Sequence, residues 1–207
     1  MKIDGSITNI TFLGLGLIGG SIALALRKKG FRGNLLGYGR SREALEQASS
    51  RDLVDEITLD INYALENADL VIIAAPALAS ENLLRQVLFK IDLSNGPIIT
   101  DVASAKGNLL KVALEVCGQF PPRLVLGHPL AGSEKSGNGA AREDLFEGRR
   151  VVLTPLSSND KSSIEIIATI WNSLGAEVVE MGVSEHDQIL AATSHLPHIL
   201  AYTLVNV

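Results

Sequence analysis

The feature that most constrains this chain is a cluster of glycines close to its start. Ile7 to Leu13 is apolar enough for a buried strand, and Gly14-Leu15-Gly16-Leu17-Ile18-Gly19 follows at once. From Leu17 to Lys29 the spacing predicts a helix, with Arg27, Lys28 and Lys29 in the last turn, where the helix dipole favours cations. GxGxxG alone is a weak pattern, but between a strand and a helix it has a physical meaning. Gly14 permits a tight turn, Gly16 leaves the backbone open to a pyrophosphate, and Gly19 lets helix and strand pack closely. The helix N-terminus, with Leu17 and Ile18 in its first turn, offers unpaired N–H groups to the anion. The bland alternative is a glycine-rich turn with no ligand.

The rest of the chain alternates in the same way. Strands are predicted at Asn34 to Tyr38, Leu70 to Ala75, Pro97 to Asp101, Leu124 to Gly127, Arg150 to Thr154 and Glu177 to Met181. Helices are predicted at Arg42 to Ser50, Ser80 to Ile91, Ala105 to Cys117 and Lys161 to Leu174. Leu70 to Ala75 is a continuous apolar run, as suits a strand buried on both faces of a parallel sheet. This alternation predicts an α/β fold with a doubly wound, mostly parallel sheet. The stretch from Gly127 to Gly148 reads as one long irregular loop. From Ser184 an apolar helix is still running at Val207. The expected organisation is a dinucleotide-binding domain over residues 1–182, followed by the first helix of a helical C-terminal domain over 183–207.

The totals remove several classes of function. With 207 residues, 46% hydrophobic, the chain can bury one sizeable core. A net charge of −5 argues against coating nucleic acid. The single cysteine, Cys117, cannot form an internal disulfide, which fits a reducing cytoplasm. The apolar stretch Ile10 to Leu26 superficially suggests a signal peptide or anchor, but its cations follow the apolar run instead of preceding it. No membrane association is expected.

The end of the second strand bears on the cofactor. An NAD-binding turn usually places Asp or Glu there for the ribose hydroxyls. This chain has Gly39-Arg40-Ser41-Arg42. Arg40 with Ser41 can bind the extra phosphate of NADP, whereas a carboxylate would repel it. The alternative is that Ser41 caps the second helix and both arginines are solvated. The reading favours NADP and leaves NAD open.

Ligands in such sheets bind beyond the carboxyl ends of the strands. Three polar segments fall there: Asp101 to Lys106, Gly127 to Gly137, and Ser194 to His198. The second reads Gly-His-Pro-Leu-Ala-Gly-Ser-Glu-Lys-Ser-Gly, and the third continues Ala192-Thr193-Ser194-His195-Leu196-Pro197-His198. The two motifs, in this order after the glycine turn, closely resemble the prephenate and arogenate (cyclohexadienyl) dehydrogenases of tyrosine biosynthesis. The resemblance covers essentially the whole chain. It implies oxidative decarboxylation of prephenate to 4-hydroxyphenylpyruvate, or of arogenate to tyrosine, with NADP or NAD taking the hydride. It also implies a cytoplasmic homodimer.

Oxidising an alcohol needs an acceptor for the hydroxyl proton. His128 suits that task, since an ordinary histidine is largely neutral at pH 7. The resemblance makes it the catalytic histidine. Ser104 is expected near it, orienting ring or substrate, or capping the following helix, or both. Ser133 and Glu134 resemble the family's substrate-side loop residues. Glu134 can gate the pocket, pair with Lys135, or stand solvated. His195 and His198, three apart on a helix, share a face. The resemblance puts them by substrate and nicotinamide. No metal is expected, because two histidines without further ligands at metal spacing make a poor site. His186 has no motif around it and receives no role.

The resemblance departs at one point. The family's substrate-gripping arginine is expected beyond residue 207, in the helical domain that forms most of the dimer interface. Two other readings are weighed against the enzyme. One is a related dehydrogenase acting on a hydroxy acid or imine. The other is a cofactor-binding sensor without catalysis, which would need neither His128 nor the paired histidines.

Overall fold

Along β1 (Asn9–Leu13) successive side chains leave on opposite sides of the strand. Ile10 and Phe12 enter one apolar cluster, and Leu13 enters another. Residues 70–73 divide in the same way: Leu70 and Ile72 join Ile10, whereas Val71 and Ile73 join Leu13. A strand apolar on both faces needs helices on both faces. The computed structural model, which describes residues 7–205 and the backbone alone at His198, has that arrangement.

The chain proceeds through α1 (Leu17–Lys28), β2 (Asn34–Tyr38), α2 (Arg42–Ser49), β3 (Glu56–Thr58), α3 (Ile61–Glu66) and β4 (Leu70–Ile73). It continues through α4 (Ala77–Lys90), β5 (Ile98–Asp101), α5 (Gly107–Cys117) and β6 (Leu124–Val125). These strands form a six-stranded sheet in the order β3-β2-β1-β4-β5-β6, with every pairing parallel. The doubly wound expectation is met. Ile22 and Leu26 of α1 cover one face, together with Ile167 and Trp171 further along the chain. Leu65, Leu84 and Val112 of α3, α4 and α5 cover the other. Phe12 is 0% exposed at the centre. Truncation of such a side chain to alanine costs about 3–5 kcal/mol.

The sequence reading departs from the structure at three places. It passes over β3 and α3, a three-residue edge strand and a six-residue helix. Both are too short for a periodic pattern to stand out. Second, the strand expected at 124–127 is two strands. β6 ends at Val125, and β7 (Gly127–Pro129) belongs to another sheet. There it runs antiparallel to β8 (Arg150–Leu153), which pairs in parallel with β9 (Glu177–Glu180) after α6 (Lys161–Ser173). His128 is therefore a strand residue opposite Val152, and the expected loop begins only after Pro129. Third, the tail is not one regular helix. α7 (Val183–Leu190) passes through a π turn at Ala191–His195 into α8 (Leu196–Val205). Pro197 accounts for the distortion: it has no N–H for the Thr193 carbonyl and its ring crowds that carbonyl.

No helix among the described residues is long and apolar enough to cross a membrane. The apolar stretch 10–26 is mostly β1, the glycine turn and α1, and most of its residues are buried.

Candidate active site

The chain winds outward from β1 to β3 and then returns to lay β4 against the other side of β1. The crevice between the carboxyl ends of β1 and β4 is where open α/β sheets bind ligands. Gly14 sits on one side of it at φ +109°, and a Cβ there would strike the carbonyl oxygen of Ala74 on the other. A Cβ on Gly19 would strike the carbonyl of Gly14. Gly16 differs: nothing lies within 4 Å of where its Cβ would be. Gly14 and Gly19 thus shape the turn, and Gly16 leaves space in front of it. Gly16 is the N-cap of α1 with no side chain capping the helix, and the first turn, with Leu17 and Ile18, holds no acidic residue. The open N–H groups and positive helix end suit a pyrophosphate.

Backbone hydrogen bonds carry the carboxyl edge of the sheet from this turn to His128. Ala74 N–H donates to Leu13 at 2.9 Å, and Val102 N–H donates to Ile73 at 3.2 Å. Asp101, at the end of β5, accepts from Gly127 N–H at 3.2 Å. Lys106 pairs with the Asp101 carboxylate and donates to the Gly127 carbonyl at 2.7 Å. Both backbone polar groups of Gly127 are thus bound to an ion pair whose two side chains are 0% and 1% exposed. That brace sets where the next residue, His128, stands.

His128 is nearly enclosed. Its Nδ1 is 2.9 Å from Nε2 of His186, and the rings meet edge to face at 5.2 Å. His186 Nδ1 is in turn 2.7 Å from Asp187 Oδ1. Asp187 also accepts the backbone N–H groups of Lys106 at 2.9 Å and Gly107 at 2.8 Å, so it caps α5. Burial pushes the His128 imidazole down to about 3, and its electrostatic interactions with Lys106, His186 and His195 act in the same direction. Asp187 opposes them. His128 is accordingly neutral at pH 7, more firmly so than an ordinary histidine.

The other expected residues divide. Ser104 is exposed, its hydroxyl has no hydrogen bond among the described residues, and it does not cap α5; that task is Asp187's. Ser133 and Glu134 are exposed on the loop after β7. Glu134 approaches the Ser133 hydroxyl at 3.4 Å instead of pairing with Lys135. His195 lies at the end of the π turn, close enough to act on His128. Its Nε2 is shut off from solvent with no partner among the described residues, a polar atom available to a ligand. The side chain of His198 lies outside the described part, so its shared face with His195 is not on view. Arg40 is exposed just beyond β2, and Ser41 caps α2 by accepting Ala44 N–H at 3.3 Å. Arg42 reaches Glu46 at 3.9 Å, which leaves Arg40 as the arginine of that turn without an ion pair among the described residues.

The sequence reading missed His186, Asp187, Lys106 and Asp101. Two of them had a signal. Asp101 and Lys106 bound a segment already placed at the carboxyl edge, and a lysine there with no acidic neighbour other than Asp101 is a candidate for a buried pair.

Together, the turn and the crevice define a nucleotide-binding fold, with the enclosed, neutral His128 braced against the end of β5. The family description "Prephenate dehydrogenase, nucleotide-binding domain" matches residues 22–180. The chain belongs to the prephenate dehydrogenase family through that domain. It is 37% identical to a prephenate dehydrogenase of Bacillus subtilis over 199 residues, 95% of this chain and 53% of that protein. Prephenate dehydrogenase from Aquifex aeolicus, solved with hydroxyphenyl propionate and NAD+, superposes with a TM-score of 0.89 at 31% identity, over 98% of this chain and 70% of that one. An arogenate dehydrogenase from Synechocystis gives 0.82 at 31% identity, covering 96% and 68%. The chain spans about half the length of the Bacillus protein.

Proposed function

We propose that this chain is the nucleotide-binding part of an enzyme that oxidatively decarboxylates prephenate, or arogenate, with NADP or NAD as acceptor. The observation that carries the reading is His128: a buried, neutral imidazole braced against the carboxyl end of β5, in a sheet whose carboxyl edge also carries an open glycine turn. Gly14, Gly16 and Gly19 form the cradle, the Leu17 and Ile18 N–H groups face the pyrophosphate, and Arg40, with Ser41 beside it, favours the extra phosphate of NADP. When bound, the nicotinamide supplies a site for a hydride.

The substrate's ring carbon gives up that hydride, and His128 takes the proton of the 4-hydroxyl attached to it. A base with so low an affinity for protons suffices, because a carbonyl forming under its own proton is a strong acid. The bond to the ring carboxylate then breaks and carbon dioxide leaves. The electron pair runs through the ring to the carbonyl oxygen, which recovers the proton from His128 as a phenol. Hydride, proton and carbon dioxide are all accounted for, and His128 ends as it began. Burial also keeps water from competing for that proton.

Ser104 and the loop residues Ser133 and Glu134 are proposed to meet the substrate, with His195 and His198 between it and the nicotinamide. The unpartnered Nε2 of His195 supports that placement. Residues 1–182 are proposed as the dinucleotide-binding domain, and 183–207 as the first helix of a helical domain. In α8, Ile199, Tyr202, Leu204 and Val205 are each more than 60% exposed, which supports burial against a helical domain and a homodimer. A cytoplasmic location is proposed with the pathway.

The test is cofactor reduction, followed by absorbance, with prephenate or arogenate and NADP or NAD. Turnover with one of these pairs supports the reading. His128→Asn is expected to keep cofactor binding and to lower turnover by about 10²–10⁴-fold. Unchanged turnover in that variant would rule out His128 as the base.

A further inference from the structure

The proposed reaction uses one nitrogen of His128, and nothing in it says which. A neutral imidazole carries its proton on one nitrogen and its lone pair on the other, and the hydrogen bond at one settles the state of the other. Only the lone-pair nitrogen can take the hydroxyl proton.

Asp187 begins the assignment. Its carboxylate is held below the usual range: burial works to raise it, but the Lys106 N–H, His186 and the Gly107 N–H outweigh that. Ionised, it has no proton to give, so His186 Nδ1 must be the donor across their 2.7 Å contact. With the hydrogen of its ring on Nδ1, His186 has its lone pair on Nε2. That atom is 2.9 Å from His128 Nδ1, which must therefore carry a hydrogen. The lone pair of His128 is left on Nε2.

We propose that His186, oriented by Asp187, is a positioning residue that holds His128 in its Nδ1–H form, so that Nε2 faces the substrate hydroxyl as the proton acceptor. The role in turnover rests on the reading of His128 as the base; the assignment of the protons does not. The arrangement also serves the charged form. Once Nε2 is protonated, the Nδ1–H bond to His186 becomes charge-assisted and Asp187 lies one ring further on. The charged or titratable groups that act on His128 are Lys106, His186, His195 and Asp187, and Asp187 alone favours its protonation.

Nitrogen-15 spectra of histidine-labelled chain read the assignment directly. In the unliganded protein, His128 and His186 should both show a protonated Nδ1 and an unprotonated Nε2. His186→Leu removes the acceptor, and His128 should revert to a majority Nε2–H form. His186→Gln returns an oxygen to the position of Nε2 and should restore Nδ1–H on His128. In Asp187→Asn an amide nitrogen in the place of Oδ1 turns an N–H toward His186, at the loss of the Lys106 N–H that the same oxygen accepts, and leaves the amide oxygen for Gly107 N–H. Both rings should then invert, as an amide in place of a carboxylate does in a catalytic triad. In the enzyme assay His186→Leu should lose about a hundredfold in kcat, with cofactor affinity unchanged and His186→Gln regaining most of the loss. The acid limb of the pH profile should move in His186→Leu and not in His186→Gln.

An Nε2–H signal on His128 in the wild-type protein would overturn the proposal. So would a His128 form that stays the same in both His186→Leu and Asp187→Asn. Should His186→Leu not fold, the proton positions of His128 and His186 in the wild-type spectrum decide it. Wild-type protein that shows the expected proton positions but oxidises neither prephenate nor arogenate would count against the reaction and leave the assignment standing.

Discussion

Asp187 reaches across 80 residues of chain to accept the backbone N–H of Gly107 at 2.8 Å, with its other oxygen bound to Lys106 N–H. One carboxylate thereby ends one helix, α5, and anchors another, α7, while touching His186 between them.

Asp187→Ala should destabilise the protein by about 1–2 kcal/mol, the usual cost of a lost cap, measured by urea unfolding. The pH dependence has a definite sign. Since the native carboxyl sits below its ordinary value, its contribution is whole above the unfolded pKa of about 3.9. It is lost as pH falls through the lower native value. The stability gap between wild type and Asp187→Ala should therefore narrow below about pH 4; a constant gap down to about pH 2 would contradict the assignment.

His128 acts on stability in the same direction by a different route. Its native pKa is about 3, pushed down by burial first and then by Lys106, against an unfolded value near 6.5. The unfolded chain binds a proton between these values and the native protein does not, so stability falls as pH drops through that window. His128→Asn should flatten the acid limb of the stability curve between about pH 6.5 and 3.

The Asp101–Lys106 pair is expected to be costly to break and cheap to replace. Lys106→Met alone leaves a buried carboxylate without its partner, which costs about 3–5 kcal/mol. Asp101→Asn with Lys106→Met should recover part of that loss. The same double variant removes a cation acting on His128, so the histidine's pKa should rise, read by proton titration of its ring signals.

Gly14 and Gly16 should separate folding from binding. Gly14→Ala forces a Cβ into the Ala74 carbonyl at a positive φ and should lower stability by about 2 kcal/mol. Gly16→Ala meets nothing and should leave the melting temperature close to wild type while weakening NAD or NADP binding at least tenfold. Loss of stability with intact binding in Gly16→Ala would refute the cradle.

Arg40→Ala should weaken NADP by about ten- to a hundredfold and leave NAD almost unaffected, since a hydrogen bond to a charged group contributes about 1.5–3 kcal/mol. Equal losses for both cofactors would show that Arg40 does not read the extra phosphate.

Most of the fold was legible because its signals are local. Asn34 to Tyr38 is a five-residue apolar strand between polar turns, and its predicted bounds match β2. The glycine spacing placed the turn beside the crevice. β3 escaped because an edge strand of Glu56, Ile57 and Thr58 carries one apolar residue, and α3 because six residues span less than two turns. Ser104 was a reasonable cap for α5, being a serine just before a helix, but the acceptor came from Asp187 instead. A tertiary cap leaves no trace near the helix that it ends.

Sequence alone determined what short-range physics determines: the strand–helix alternation, the open glycine turn, and a histidine at the carboxyl edge whose neighbours mark its family. Tertiary structure decided the state of that histidine. The chain leaves one sheet for another between Val125 and Gly127, and this turned a loop residue into a strand residue. The Asp101–Lys106 brace and the His186–Asp187 pair then met it from other segments. Its neutrality follows from burial and from the nearby Lys106, and its proton position from a hydrogen bond 58 residues distant in the chain. Such properties depend on distance in space, and separation along the chain does not encode that distance.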